Sequence, residues 1–504
     1  MAYVNPAVRL ACLGAILLAG AGVPAAAGPL AIDAAFPGGN IIVGRIEGDH
    51  VYVRQDLRDT AGQWFYWNFR VRGAAGRTLT IHFTGGNVFT RMGPSYSLDG
   101  GRSWQWLGPQ RTNDSGAPPP AGAFRFRFPD GAADARFALS IPYQESDLKE
   151  FLACHAARPE LKTGVLCRTP KGRDAEVLYL GRMDDRPDYR IAFTCRHHAC
   201  ESVANYVLEG IMESVLADDE TGRWYRGHAA ILVVPFVDKD GVEDGDQGKN
   251  RKPRDHNRDY GEDTIYPTVA AIKRLLPEWS RGRLDVAIDL HCPYWSTDFI
   301  HFVGGPDQEI WGRVLKLCKI LEDGQQGPLK YTMADNLAFG QSWNKSTDAL
   351  MKFNRWASTL SGIWVATDIE FPYALARKKP VTADGARAFG RDLARALRVF
   401  LEKELPRTSA ALDERHEAPE LAQARQGAVV GGDARFLDRR QRVQPRRHHE
   451  ARAAGTHGDV EERPARLPEN YEASKPLAVH LRDDLFNAGQ SRGRYLAETR
   501  PEEA

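Results

Sequence analysis

Apolar runs of strand length alternate with helical patterns between about residues 146 and 405, and this alternation constrains the fold more than any other feature. Five runs predict strands, and they read "IAFT", "AILVVPF", "LDVAIDL", "FIHFVGG" and "GIWVATDIEF". Helices are predicted at residues 201–217, 267–276 and 384–405. Strands and helices in alternation are typical of an α/β domain, in which helices cover both faces of one sheet.

Residues 28–145 follow a different period. In "WFYWNFRV" the residues Phe65, Trp67, Phe69 and Val71 lie two apart, and "LTIHF" and "FRFRF" alternate in the same way. The segment "SLDGGRSW" places a glycine-containing turn between two short strands. This part of the chain is therefore predicted to be an all-β sandwich domain. Its aromatic stripe is interpreted as sandwich core, with a sugar-stacking platform as the alternative.

The two ends of the chain differ from both predicted domains. Residues 1–27 contain Arg9, the apolar run "LACLGAILLAGAGV" and an "AAA" sequence, which together are typical of a secretory signal peptide, with an uncleaved anchor as the alternative. No later apolar run is comparable, so the rest of the chain is expected to be exported, periplasmic or extracellular, without a membrane span. Residues 406–504 contain no tryptophan and are rich in Arg, Glu, Ala and Gly, which predicts a disordered, low-complexity tail.

Charge and cysteine content bear on the possible partners and sites. The net charge of +1 gives no overall field that would favour nucleic acid. One of the seven cysteines lies in the predicted signal peptide. Of the others, Cys154 and Cys167 are close enough in sequence to form a disulfide or to remain as thiols. Because no C-x-x-C pair is present, a zinc site built from thiolates is not expected.

The stretch "FTCRHHACES" indicates a metal site. It places His198 and Glu201 three residues apart where a predicted strand passes into a helix, although a helix cap with charged surface residues would look similar. A third candidate ligand, His291, ends the predicted strand in "VAIDLHCPYW". Active sites of open α/β sheets lie outside the carboxyl ends of the strands, so these side chains are expected to converge. Two histidines and one glutamate form a catalytic zinc site with a position for water, which predicts one zinc ion per chain.

A general base is expected on a further strand. The run "GIWVATDIEF" carries Asp368 and Glu370 near its end. A carboxylate within an apolar strand costs free energy unless it is paired or functional. Both acids lie on the same face of the strand, so the pattern alone does not choose between them.

The loop "KNRKPRDHNRDYG" is the candidate for substrate binding. It contains Arg251, Arg254 and Arg258 together with Asn257. Arginine stays charged and binds carboxylates through two parallel hydrogen bonds, so the loop indicates a substrate with an anionic end. Without a zinc site beside it, the same loop would be interpreted as basic surface.

Taken in order, these motifs resemble those of the zinc metallocarboxypeptidases of the carboxypeptidase A superfamily. "RHHACESVANYVLEG" resembles the zinc motif of the branch that contains the cytosolic carboxypeptidases, and "VVPFVDKDGV" resembles the strand before its arginine loop. "DLHCPYW" and "GIWVATDIEF" resemble its third-ligand and base segments, and the aromatic β domain resembles its N-terminal domain. The likeness covers roughly residues 35–405.

The resemblance implies a domain order and a reaction. A mixed-sheet zinc carboxypeptidase domain would occupy residues 146–405, after the β domain at residues 28–145. Zinc would be held by His198, Glu201 and His291. The enzyme would hydrolyse the last peptide bond of a peptide or protein, with water as the nucleophile.

The resemblance also implies roles for individual residues. Asn257 and Arg258 would bind the terminal carboxylate, and Asp255 would orient a zinc histidine. Glu370, rather than Asp368, would be the general base. An arginine would polarise the scissile carbonyl. Two candidates from the loop compete for this role, Arg251 first and Arg254 second.

Two other functions are compatible with the sequence. The same zinc scaffold could hydrolyse the amide bond of a small N-acyl amino acid or of a cell-wall peptide. Alternatively, the protein could be an exported binding protein for zinc or carbohydrate that catalyses no reaction.

Overall fold

The computed structural model describes residues 29–406, except residues 87, 185 and 346–351. The predicted signal peptide, and all but the first residue of the predicted tail, lie outside the described residues. None of the helices in the described part of the chain is long and apolar enough to cross a membrane.

Between residues 29 and 145, the described part of the chain contains nine strands in two sheets. They are β1 (Ala31–Asp33), β2 (Ile42–Glu47), β3 (His50–Arg54), β4 (Asn68–Arg72), β5 (Thr78–Phe83), β6 (Ser95–Ser97), β7 (Gln105–Trp106), β8 (Ala123–Arg127) and β9 (Asp134–Ala138). One sheet has the order β1-β4-β9-β6-β7 and the other the order β2-β3-β5-β8. Neighbouring strands are antiparallel except β3 and β5, which are parallel.

Aromatic side chains from both sheets form the core of this region. Phe124 of β8 lies 5.0 Å, between ring centroids, from Phe137 of β9, so the two sheets pack face to face. Trp67 and Phe69 are fully buried in the same cluster. The aromatic stripe of the sequence is therefore core, and its burial rules out a sugar-stacking platform.

The second part of the chain contains a seven-stranded sheet and a short hairpin. The strands are β10 (Leu161–Arg168), β11 (Asp174–Gly181), β12 (Tyr189–Cys195), β13 (Ala229–Val234), β14 (Val286–His291), β15 (His301–Val303) and β16 (Val365–Glu370), followed by the hairpin β17 (Leu375–Ala376) and β18 (Lys379–Pro380). The sheet order is β10-β11-β13-β12-β14-β16-β15. Its four central strands are parallel and its outer strands antiparallel.

Eight helices accompany these strands in the described residues. They are α1 (Glu145–Cys154), α2 (Ala204–Leu216), α3 (Glu220–His228), α4 (Lys239–Asp244), α5 (Pro267–Ser280), α6 (Gln308–Gly324), α7 (Phe353–Ala357) and α8 (Ala383–Glu404), with 3₁₀ turns at His256–Arg258 and Met333–Asp335. The predicted fold class is confirmed: a mixed-sheet α/β region follows a β region.

Two helices have boundaries that differ from the predicted ones, and the predicted cysteine pair forms no disulfide. The helix predicted from residue 201 begins at Ala204, because Glu201 lies in the preceding turn. The helix predicted at residues 267–276 continues to Ser280 through an internal proline. No disulfide joins Cys154 to Cys167, since all six described cysteines are thiols.

Candidate metal centre

The carboxyl ends of three neighbouring parallel strands bring the candidate residues together. Strand β12 leads into the turn that carries His198 and Glu201, and β14 ends at His291. Strand β16 ends at Glu370, whose register partner on β14 is His291. The prediction that strand ends would converge therefore describes the observed arrangement.

Glu201 lies between the two histidines. Its Oε1 atom is 3.0 Å from Nδ1 of His198, and its Oε2 atom is 2.8 Å from Nδ1 of His291. One ligand atom from each residue can be chosen so that all lie within 4.8 Å of one another. All three residues are buried. Two imidazole nitrogens and a carboxylate suit zinc, so the donor set fits the metal that the sequence predicts.

The outer nitrogens of both histidines face further polar groups. Nε2 of His198 is 3.6 Å from Oδ1 of Asp255, and Nε2 of His291 is 2.5 Å from Oδ2 of Asp289. Burial alone would raise the pKa of Asp255, but the contact with His198, the charge of Arg258 and a backbone hydrogen bond from Asn250 together lower it. The contact between Asp289 and His291 is of the kind that fixes the tautomer and orientation of a metal-binding imidazole. Asp255 lies beside His198 at a distance longer than a hydrogen bond, and its orienting role stays a prediction.

His197, next to the candidate ligand His198, is held differently. Its Nδ1 atom lies 2.9 Å from Oδ1 of Asp289, and its Nε2 atom lies 2.8 Å from the hydroxyl of Tyr260. His197, Asp289 and His291 are also close enough to hold a metal ion. His291 belongs to both groups. In the group that contains Glu201, both histidines face one carboxylate through Nδ1, and this is the group that the sequence predicts as the metal site.

The two acids of β16 have different surroundings. Burial raises the pKa of Asp368 to about 7. Glu370 is 8% exposed, and its Oε2 atom has no hydrogen-bond partner among the described residues. Asp368 also has an oxygen without a hydrogen-bond partner among the described residues. The two acids differ in position, because Glu370 lies beside His291 at the strand end, whereas Asp368 lies two residues deeper, opposite Asp289.

Two of the three predicted arginines are held by carboxylates. Arg251 donates to Asp59 at 3.1 Å, to Asp238 at 3.1 Å and to Asp246 at 2.8 Å. Arg254 donates through Nε to Asp259 at 2.6 Å. The structure thus places Arg251 in an ion-pair cluster rather than beside the metal ligands.

Asn257 and Arg258 lie in a 3₁₀ turn next to the site. The side-chain amide of Asn257 lies 3.2 Å from Nε2 of His291, and its carbonyl accepts a hydrogen bond from the backbone of Phe353. Arg258 donates to the backbone carbonyl of Asn257 at 3.1 Å. Burial lowers the pKa of Lys352 to about 8, and the nearby charge of Arg258 contributes to this shift.

Two lysines at the site were missed by the sequence analysis. Lys249 lies 2.7 Å from Oε1 of Glu201, and Lys352 is buried near Arg258, Asp368 and Glu370. Lys249 lies in the arginine loop quoted above, but the sequence analysis assigned the substrate-binding roles to the arginines of that loop. Lys352 lies outside every motif, and no sequence pattern marked it.

Comparison with known proteins places this geometry in a family context. No family model matches the chain. Cytosolic carboxypeptidase 3 of Mus musculus is 27% identical over 259 residues, which cover 46% of this chain and 26% of that protein. Cytosolic carboxypeptidase 6 of Caenorhabditis elegans is 25% identical over 297 residues, which cover 52% of this chain and 62% of that protein. The chain thus spans from a quarter to under two thirds of these named relatives.

Solved structures share the fold over a larger part of the chain. A metallo-carboxypeptidase from Burkholderia cenocepacia has a TM-score of 0.61 at 18% identity, with 74% of this chain and 99% of that chain covered. The chain therefore shares the carboxypeptidase A-like fold of these metallo-carboxypeptidases. A metallo-carboxypeptidase from Pseudomonas aeruginosa, solved with (2-guanidinoethylmercapto)succinic acid, has a TM-score of 0.59 at 18% identity. The superfamily resemblance and its carboxypeptidase A-like fold are confirmed.

Proposed function

We propose that this protein is a zinc-dependent carboxypeptidase that hydrolyses the C-terminal peptide bond of peptides or proteins. The observation that carries the proposal is the convergence of His198, Glu201 and His291, with Glu370 in register beside His291. The relatives named above are carboxypeptidases, so the amidohydrolase and binding-protein alternatives are not favoured.

Zinc at this site would lower the pKa of water and polarise a carbonyl group. Glu370 would take the proton from water, because it lies in register beside His291 at the end of its strand. The carboxylate would later return this proton to the leaving amine. Asp255 and Asp289 would hold the two imidazoles in their ligand orientation.

Positive charge beside Glu370 would bind the terminal carboxylate of the substrate. Arg258 lies close enough to Lys352 for its charge to contribute, after burial, to the lowered pKa of that lysine, and Lys352 also lies near Glu370. We assign the carboxylate to Arg258, with Lys352 beside it and Asn257 supporting the turn. Arg254 is given no direct contact, because it is bound to Asp259.

Export remains part of the proposal. The N-terminal segment that predicts a signal peptide would deliver the enzyme to a periplasm or to the outside of the cell, where peptides are its substrates. Sequencing the N-terminus of protein recovered from outside the cytoplasm tests this directly. A mature chain that begins near Gly28 supports it, and intact Met1 contradicts it.

Metal loading and product analysis test the proposed reaction. Purified protein is stripped with a chelator, reloaded with one equivalent of zinc and incubated with a peptide that has a free C-terminus. Mass spectrometry should show that the peptide loses single C-terminal residues only when it is incubated with the zinc-loaded protein. Internal cleavage, or deacylation of an N-acyl amino acid without peptide trimming, would instead support another hydrolase on this scaffold.

A further inference from the structure

Lys249 supplies positive charge directly beside the metal ligands. Its Nζ atom lies 2.7 Å from Oε1 of Glu201, and only 14% of the side chain is exposed. The ammonium group is therefore held, largely buried, against a candidate metal ligand.

The backbone before Lys249 packs on the turn that carries the metal ligands. Gly248 has a φ of +77°, and a Cβ atom there would lie 2.1 Å from the backbone nitrogen of Ala199. The carbonyl of Gln247 accepts a hydrogen bond of 3.2 Å from the backbone of Cys200. Only glycine allows this approach, so the position of Lys249 is set by close contact with the ligand turn.

The N-terminal β region holds the other side of the same loop. Asp59 accepts backbone hydrogen bonds from Gln247 at 3.0 Å and from Gly248 at 2.8 Å. The ammonium of Lys249 lies 5.2 Å from the ring centre of Trp64, which is within cation–π distance. Lys249 is thus fixed between the β region and the metal ligands, so little order has to be gained when substrate binds.

The arginines predicted to polarise the scissile carbonyl have other partners. All three donor nitrogens of the Arg251 guanidinium reach carboxylates, and Nε of Arg254 reaches Asp259. Releasing Arg251 would leave Asp59 and Asp238 without this cation and Asp246 with Arg58 alone, which is strongly unfavourable. Among the described cations of this loop, Lys249 alone contacts a candidate metal ligand.

We propose that Lys249 polarises the scissile carbonyl of the substrate, in the place that the sequence assigned to Arg251 or Arg254. This proposal rests on the carboxypeptidase function proposed above. Glu370 removes a proton from water, and the water oxygen bonds to the carbonyl carbon. The π electron pair moves to the carbonyl oxygen, where the ammonium of Lys249 stabilises the developing charge. The C–N bond then breaks, and the amine leaves with the proton returned by Glu370.

The same position gives Lys249 a second measurable property. Its ammonium contacts Oε1 of Glu201, the carboxylate that would also hold the metal cation, so two positive charges would lie side by side there. Removing the ammonium should therefore leave the zinc affinity of the site unchanged or increase it. A lysine that only supported the fold would show the opposite, because its loss would loosen the ligand turn and weaken zinc binding.

The test compares Lys249→Met, Lys249→Arg and the control Lys239→Met. Lys239 is a buried lysine paired with Glu176 at 2.6 Å, outside the proposed machinery. Zinc affinity is measured by competition with a chelator, and kcat and KM with a peptide that has a free C-terminus. Lys249→Met should lower kcat about 10²–10³-fold with little change in KM. It should bind zinc at least as tightly as wild type, and Lys249→Arg should recover much of kcat. Lys239→Met should lower thermal stability but not kcat.

Each outcome has one meaning. If wild type releases no C-terminal residue, the proposed function is overturned and the role of Lys249 falls with it. If wild type is active and Lys249→Met keeps its kcat, only the role of Lys249 is overturned. A parallel loss of zinc affinity and kcat in Lys249→Met would also overturn it, because the residue would then act through the metal ligands.

Discussion

The proposed active site has two halves that are built in different ways. One half comes from the ends of β12, β14 and β16, which supply His198, Glu201, His291 and Glu370. The other half is the loop at residues 245–258, which is rich in cations and has little regular structure. In the strand half, backbone register determines which side chains meet. In the loop half, the role of each cation depends on which carboxylates it contacts in the folded protein.

The loop half shows why residue type is a poor guide to function there. Arg251 and Lys249 are two residues apart, yet Arg251 binds Asp59, Asp238 and Asp246 while Lys249 contacts Glu201. Asp59 lies in the β region, 192 residues before Arg251. A partner so distant in sequence gives no local pattern that could have separated the structural cation from the catalytic one.

The largest effect should come from the strand half. His291→Ala removes a zinc ligand, so elemental analysis of the purified variant should show loss of the metal and turnover should be undetectable. His197→Gln is the matched control, because His197 contacts Asp289 and Tyr260 instead of the metal group. Its zinc affinity should fall by no more than about 10–100-fold. A full equivalent of zinc in His291→Ala would break the assignment of this half.

The two acids of β16 test whether register also distinguishes their roles. Glu370→Gln keeps the shape of the side chain and should keep zinc, but it should lower kcat and kcat/KM together by about 10²–10⁴-fold. Asp368→Asn should have a much smaller effect, since burial already raises the pKa of Asp368 to about 7. Steady-state kinetics of both variants measures the two effects. Equal decreases in kcat would show that Glu370 and Asp368 do not have different roles.

Arg251 provides the corresponding test in the loop half. Arg251→Met leaves Asp59, Asp238 and Asp246 without their shared cation, so the free energy of unfolding should fall by about 3–5 kcal/mol. Urea unfolding measures this loss, and the folded fraction should keep its kcat. A stable variant with a greatly reduced kcat would return the carbonyl-polarising role to Arg251.

A pH effect from the same cluster should be the smallest. Burial, together with Asp59 and Asp238, raises the pKa of Asp246 to about 6 in the folded protein, against 3.8 as the ordinary value. Between these pH values the unfolded chain has lost the proton that the folded protein keeps, so stability from this group falls as pH rises. The stability of wild type relative to Asp246→Asn should therefore decrease from pH 4 to pH 6 and then level off. A difference that increases over this range would contradict the raised pKa.

Much of the fold and of the strand half was predictable from sequence. The spacing of apolar residues indicates which side chains are buried, and the ends of apolar runs indicate which residues lie at the edge of the sheet. The aromatic alternation ending in Phe69 and Val71 predicted a buried β core, and the apolar runs before His291 and Glu370 predicted adjacent strand ends. The first residue of α2 was less predictable. Glu201 lies in the turn before the helix because of its tertiary contact with His291, which helix propensity does not reflect. Lys352 was not predictable, because its importance comes only from the charges packed around it.

The central claim is that the two halves act together on the C-terminal end of a peptide. The most direct test measures kcat/KM of zinc-loaded wild type with one peptide, in its free-acid form and as its C-terminal amide. Because Arg258 and Lys352 are proposed to bind the terminal carboxylate, the free acid should be hydrolysed at its last bond and the amide far more slowly. Equal rates for the two forms would show that the cations do not bind a terminal carboxylate, and would contradict the carboxypeptidase account.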